Sequence, residues 1–249
     1  MRDGPATPGR RREAVQRWRI RYSRDASASG VGQREEADLW AAALAEAPLT
    51  IVRSGVAVGA TGEAEGGRPR LAFGPALPAA AEATDEPLEF ELAERATAAD
   101  VRAAVEASLP PGRGLVDLHD VWIGAPSLPA LARALEYRLE VEADVEAEAV
   151  DRLKAAVATL LASSHLPRAR TRGSRGGSFD LRPLVGDLAV APREITDAGR
   201  AMSIRFVARV DPALGVGRPD DLLAALSDLV GLPLVATRMV RTRVHLADE

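Results

Sequence analysis

Cysteine is absent from this sequence, and its absence excludes disulfides, thiolate zinc sites, iron–sulfur ligation and a thiol nucleophile. Lysine is almost absent too. Lys154 is the single one, so nearly all positive charge is arginine. That bias is first the mark of a GC-rich genome, and only second a use of the forked guanidinium. Aromatics make up only 4%, and the 47% hydrophobic content is mostly Ala, Val and Leu. No apolar run approaches the ~18 residues that a membrane span needs. Met1 to Glu13 is rich in Arg, Pro and Gly and lacks the apolar core of a secretory signal. A cytoplasmic protein without a membrane partner is the expectation.

What is present is enough chain, 249 residues, for one large domain or two small ones. The net charge of −4 is unevenly spread. The first 24 residues are strongly basic, residues 25–150 strongly acidic, and residues 151–249 mildly basic. No segment is basic enough to mark a strong polyanion binder by charge alone.

Residues 1–15 are expected to be a disordered basic tail. Order begins where Trp18, Ile20 and Tyr22 alternate with Arg17, Arg19 and Arg21, a period-2 strand. A helix is predicted over 34–47 and a strand over 49–58, then a short extended piece at 70–73. Leu88, Phe90 and Leu92 alternate with Glu89 and Glu91 in a further strand. Thr97 with Asp100 imitates a capping box before a helix carrying Val101, Val105 and Leu109. Residues 115–123 close this half as a strand, and 127–135 form a linking helical turn.

The order then repeats. Tyr137, Leu139 and Val141 alternate with Arg138, Glu140 and Glu142, and an amphipathic helix spans 146–163. Extended segments at 167–172, 179–190 and 203–210 follow, then a helix opened by Arg218-Pro219-Asp220 and a strand over 234–246. The predicted fold class is α+β, with two tandem ferredoxin-like (βαββαβ) halves of antiparallel sheet at 16–126 and 127–249.

In that topology helices cover one sheet face and leave the other free. Arg17, Arg19 and Arg21 lie on it in the first half. Arg205, Arg209, Arg241, Arg243 and His245 lie on it in the second. Two readings stand side by side. The arginines are an RNA platform, or they pair across strands with Glu89 and Glu91 in one half and Glu140 and Glu142 in the other. The stretch Arg168 to Gly177 holds Arg168, Arg170, Arg172 and Arg175 with no acid, and glycines free its backbone N–H groups to face phosphate. It is an anion candidate or a solvated hairpin. It is no phosphate-loop motif, since Gly-Lys-Ser/Thr is missing. The candidate RNA-contacting residues are therefore Arg168, Arg170, Arg172, Arg175, Arg19, Arg21, Arg241 and Arg243.

No catalytic or metal-binding set is legible. His119, His165 and His245 have no second His or carboxylate at ligand spacing within one element. Ser163-Ser164-His165 lacks the strand–elbow–helix context of a nucleophile. No catalytic residue, metal or cofactor is expected.

Several phrases fall in a familiar order: Arg70-Leu-Ala-Phe-Gly-Pro-Ala-Leu-Pro78, Ala125-Pro-Ser-Leu128, Glu136-Tyr-Arg-Leu-Glu140, Asp180-Leu-Arg-Pro-Leu-Val185 and Arg241-Thr-Arg-Val-His-Leu246. On these the chain resembles the radical SAM-linked protein family, an uncharacterised bacterial domain of unknown function. The resemblance implies a gene beside, or fused to, a B12-binding-type radical SAM protein, near ribonuclease E/G and ribosomal genes. It implies an accessory role in RNA or ribosome metabolism, with any iron–sulfur chemistry in the partner. The chain departs from the family between Ser23 and Glu36, where a Ser-His-Leu-Asp phrase is missing, and its 57–69 loop is longer and more acidic. The leading expectation is a non-catalytic accessory protein that binds RNA or a radical SAM enzyme. An RNA-processing or RNA-modifying enzyme and a purely protein-binding scaffold are the alternatives.

Overall fold

Alternation in Arg17 to Tyr22 does produce a strand. In the computed structural model it is β1 (Gln16–Arg24), followed by α1 (Gln33–Glu46), β2 (Leu71–Phe73), β3 (Glu82–Leu92), α2 (Ala98–Ala107) and β4 (Arg113–Val121). Residues 14–54, 57–58, 64–65, 67–143, 147–169, 177–196 and 199–249 are described, and the predicted tail lies outside them but for its last two residues. The chain divides into two compact units. The first comprises Met1–Ala79 and Glu86–Ala130, the second Ala80–Asp85 and Leu131–Glu249. Both are mixed α and β, with mostly antiparallel strand pairing.

In the first unit the strands lie in the order β4-β1-β3-β2. Trp18, Ile20 and Tyr22 turn to the helices and bury against Trp40, Leu44, Val101 and Val105. Tyr22 meets Trp40 edge-on, ring centres 4.9 Å apart, a geometry that the aromatic quadrupole favours. Thr97 and Asp100 cap α2 reciprocally, each satisfying a backbone N–H that the helix leaves unpaired. The strand predicted over 49–58 is broken into a bridge from Ile51 to Leu92 and short pairings of Arg53–Ser54 with Arg68–Pro69 and of Ala57–Val58 with Ala64–Glu65.

The opposite face of β1 corrects an expectation. It is not open: Arg17, Arg19 and Arg21 are only 8%, 1% and 5% exposed. Glu89 on β3 makes that burial tolerable. One of its oxygens accepts from Nε of Arg19 at 2.9 Å, and the other from Nε of Arg17 at 2.9 Å. Arg17 also donates to the carbonyls of Ala125 and Pro126, at 2.7 and 3.2 Å, which holds that segment over the strand. Of the two readings, cross-strand pairing describes Arg17 and Arg19. Glu91 meets Arg70 instead, at 3.1 Å.

A second buried ionic cluster sits on the helix side. Glu36 of α1 accepts from Trp40 at 3.0 Å and from two nitrogens of Arg113 at 3.2 and 2.5 Å. Arg24 lies 3.6 Å from the same carboxylate and donates to the carbonyls of Val31, Pro78 and Ala79. Burial lowers the pKa of Arg24, and Glu36 opposes that shift.

The linking helix is a single turn, α3 (Leu128–Leu131), and runs straight into β5 (Ala132–Ala143). Then come α4 (Ala147–Ala162), a two-stranded hairpin of β6 (Pro167–Ala169) and β7 (Ser178–Asp180), β8 (Val185–Thr196), β9 (Gly199–Asp211), α5 (Pro219–Val230) and β10 (Val235–Leu246). The second unit's strand order is β8-β9-β5-β10, each pair antiparallel. Glu82 and Ala83 add a short parallel pairing to Val240 and Arg241. Leu139, Ile204, Leu153, Leu160, Leu222 and Leu226 are fully buried between this sheet and its helices. Gly231, at φ +75°, ends α5 in the left-handed conformation and donates to the Ser227 carbonyl at 2.9 Å. No helix among the described residues is long and apolar enough to cross a membrane.

Removing Glu89 strands two buried guanidinium groups. Glu89→Ala should cost about 3–5 kcal/mol in urea unfolding. Arg102→Ala, which breaks an exposed pair with Glu106 on α2, should cost under ~0.5 kcal/mol. Equal losses would contradict the role given to Glu89.

Candidate nucleic-acid interface

Pairing register decides which charges meet on the outer face of the second unit. Phe206 stands opposite Tyr137 and Ile204 opposite Leu139, and these residues point to the core. The alternate residues point outward, and there Arg205 of β9 stands directly opposite Arg138 of β5. Both are exposed. Side chains so placed have Cβ atoms ~5 Å apart, and like charges in that position repel.

The cross-strand pairs expected of Glu140 with these arginines do not form. Glu140 stands opposite Ser203, and its carboxylate turns to Arg238 of β10, at 3.5 Å. Glu136 stands opposite Val207 and meets His245 at 3.0 Å. Arg209, also exposed, stands opposite Ala134. Arg138, Arg205 and Arg209 consequently have no carboxylate partner among the described residues. Ala189 stands beside Arg205 on β8 and Val240 beside Arg138 on β10, so no charged neighbour stands directly across from either arginine on its other side. Two adjacent forks of planar N–H donors suit the oxygens of a phosphate.

The residues singled out from the sequence scatter. Arg19 and Arg21 are buried in the first unit, so neither presents a surface to RNA. Arg241 is 1% exposed, its guanidinium 3.4 Å from the Tyr137 hydroxyl on the core side. Arg243, only two residues on, is 53% exposed and lies 3.8 Å from Asp85. Alternation alone would put both on one face. A register shift at Thr242 sends them to opposite faces. Arg168 reaches Asp228 of α5 at 2.6 Å. Arg170, Arg172 and Arg175 lie outside the described residues.

Arg138 was legible as an outward residue, but only the register places it against Arg205. Among the described residues no three His, Asp or Glu side chains gather as metal ligands.

Asp180 stands at the end of the β6–β7 pairing, opposite Pro167. Asp180 accepts from the backbone N–H of Leu166 at 2.7 Å and of Arg182 at 3.0 Å, and contacts Nδ1 of His165 at 2.6 Å. His165 lies between the end of α4 and β6. The Leu166 amide, with lesser help from Arg182 and His165, holds the Asp180 carboxyl below its usual range. Arg238 is raised, chiefly by its hydrogen bonds to Glu82 at 2.6 and 2.8 Å.

A family model described as "Uncharacterized protein conserved in bacteria (DUF2344)" matches residues 17–211, and the chain belongs to that family. No curated protein matches it. Among solved structures, a chain in the "Crystal Structure of a Cbf5-Nop10-Gar1 Complex" aligns at 12% identity with a TM-score of 0.47. The alignment covers 91% of this chain and 48% of that one, so this chain spans about half its length.

Because the folded Asp180 value is lowered, its anchoring is in place above the ordinary carboxylate value and is lost as pH falls through the lowered one. The amides of Leu166 and Arg182 should stay protected from hydrogen exchange at neutral pH and lose protection only below about pH 4. Asp180→Asn should expose both at neutral pH. Unchanged protection in that variant would remove Asp180 as the anchor.

Proposed function

We propose that this member of the DUF2344 family is a non-catalytic accessory module that binds RNA phosphates through the outer sheet face of its second unit. The observation that carries this reading is the exposed Arg138–Arg205 pair, set opposite each other without a carboxylate partner among the described residues. A fold gains nothing from that repulsion. An incoming phosphate relieves it and accepts from both forks. Arg209 extends the same surface along β9, and Arg243 borders it on β10. The basic 168–175 stretch adds a second contact of the same chemistry.

The strand order β4-β1-β3-β2 recurs as β10-β5-β9-β8, and we read the units as tandem ferredoxin-like halves. Helices then cover one face of the second sheet and leave the arginine face for the ligand. Arginine rather than lysine suits phosphate recognition by paired donors. The resemblance to radical SAM-linked proteins makes a cytoplasmic radical SAM enzyme acting on RNA or ribosomes the partner in this reading. Co-purification with the radical SAM protein encoded beside the chain tests that part.

Binding of tRNA and ribosomal RNA fragments, followed by fluorescence anisotropy over a salt series, tests the RNA part. The wild-type affinity should fall steeply with salt. Replacing both Arg138 and Arg205 with Ser should weaken binding and flatten the slope of log K against log salt by ~1.4, two single-strand phosphate contacts' worth. Replacing Arg170, Arg172 and Arg175 with Ala should weaken it separately. A wild-type slope near zero, or a double variant that binds like wild type, would sink the proposal.

A further inference from the structure

We infer that the RNA held by the arginine face is double-helical, gripped by its phosphates and not read by its bases. This rests on the RNA reading of that face and names its substrate class. A sheet that binds single-stranded RNA presents aromatic rings on its outer face, where splayed bases stack. The four strands of the second unit hold only two Phe, Tyr or Trp rings, Tyr137 on β5 and Phe206 on β9. These are the two central strands, where a stacking platform would stand. Yet both rings turn to the core, 3% and 1% exposed, and stack on each other with centres 6.1 Å apart. The register that sets Arg138 against Arg205 on one face sets Tyr137 against Phe206 on the other.

The outer face is composed for phosphate instead. Along β9 its residues are Ser203, Arg205, Val207 and Arg209, a line with no acid. Arg209 stands ~13 Å beyond Arg205 along the strand. Acids flank the line, Glu136 and Glu140 on β5 and the exposed Asp187 in the bulge of β8 opposite Val207. His245, the imidazole on this face, is engaged by Glu136 at 3.0 Å. A neutral base laid over Arg138 and Arg205 leaves their repulsion as it is, whereas a phosphate relieves it.

A narrow basic line between acids suits the phosphate ridge of a convex duplex. A duplex also brings its phosphates already fixed in place, so little order has to be imposed on binding. A single strand has to be ordered on the sheet and recovers nothing there by stacking on aromatic rings.

Fluorescence anisotropy with two short complementary RNA strands, each alone and then annealed, tests the inference at one salt concentration. The duplex should bind the wild type at least about tenfold tighter than either strand, the worth of a stacking contact that the face does not offer. A GC-rich and an AU-rich duplex should bind within about twofold of each other, because phosphate contacts carry no sequence information. The Arg138→Ser, Arg205→Ser double variant should lose the preference for duplex. Three results would each overturn the inference while RNA binding itself stands: a single strand bound as tightly as the duplex, a strong preference between the two duplexes, or a duplex preference that survives in the double variant. Binding of neither form would overturn the RNA reading, and this inference with it.

Discussion

The first unit depends on one carboxylate. Glu89 lets β1 bury both of its faces: without it, Arg17 and Arg19 would have to remain in water and the strand could cover only its Trp18–Ile20–Tyr22 side. Two guanidinium groups sharing the oxygens of one glutamate satisfy both ends of that carboxylate, and the surplus Arg17 donors go to the Ala125 and Pro126 carbonyls. Desolvating such charges is costly and is offset only by near-complete pairing. The Glu36 cluster repeats the device on the helix side, where one carboxylate meets Arg24, Arg113 and the Trp40 ring nitrogen. Arginine in this chain is therefore as much a core residue as a surface one.

The second unit spends its charges differently. Its carboxylates Glu136 and Glu140 are drawn sideways to β10, by His245 and Arg238. That diversion leaves Arg138, Arg205 and Arg209 on the outer face without a carboxylate partner among the described residues. The two units thus use similar alternating strands for opposite ends, one to bury arginine and one to present it.

Local features were legible in the sequence. The Thr97–Asp100 capping box, the core side of β1 and the apolar stripes of α4 and α5 follow from spacing alone, because each is decided within a few residues. What spacing does not decide is which face of a strand meets water. Alternation in Arg17 to Tyr22 separates two faces, and only the Glu89 contact shows that both are dry. Nor does it decide register. Pairing Arg205 with Glu140 satisfies charge, yet the observed offset puts Ser203 there and Arg138 against Arg205, because Phe206 and Ile204 must meet Tyr137 and Leu139 in the core. The arginine face is a by-product of apolar packing on the other side of the same strands.

The register shift at Thr242 carries a consequence for how this surface can change over time. Arg241 and Arg243 differ in nothing but their distance from one extra backbone residue, yet one is core and the other is solvent-facing. Moving that extra residue past either arginine would bring both to one face of the sheet while leaving composition and net charge as they are. Substitutions can therefore tune the outer face one side chain at a time, whereas a one-residue insertion or deletion in β10 redistributes charge between interior and surface in one step. Relatives with identical arginine content can, by this route, present different faces to whatever they bind.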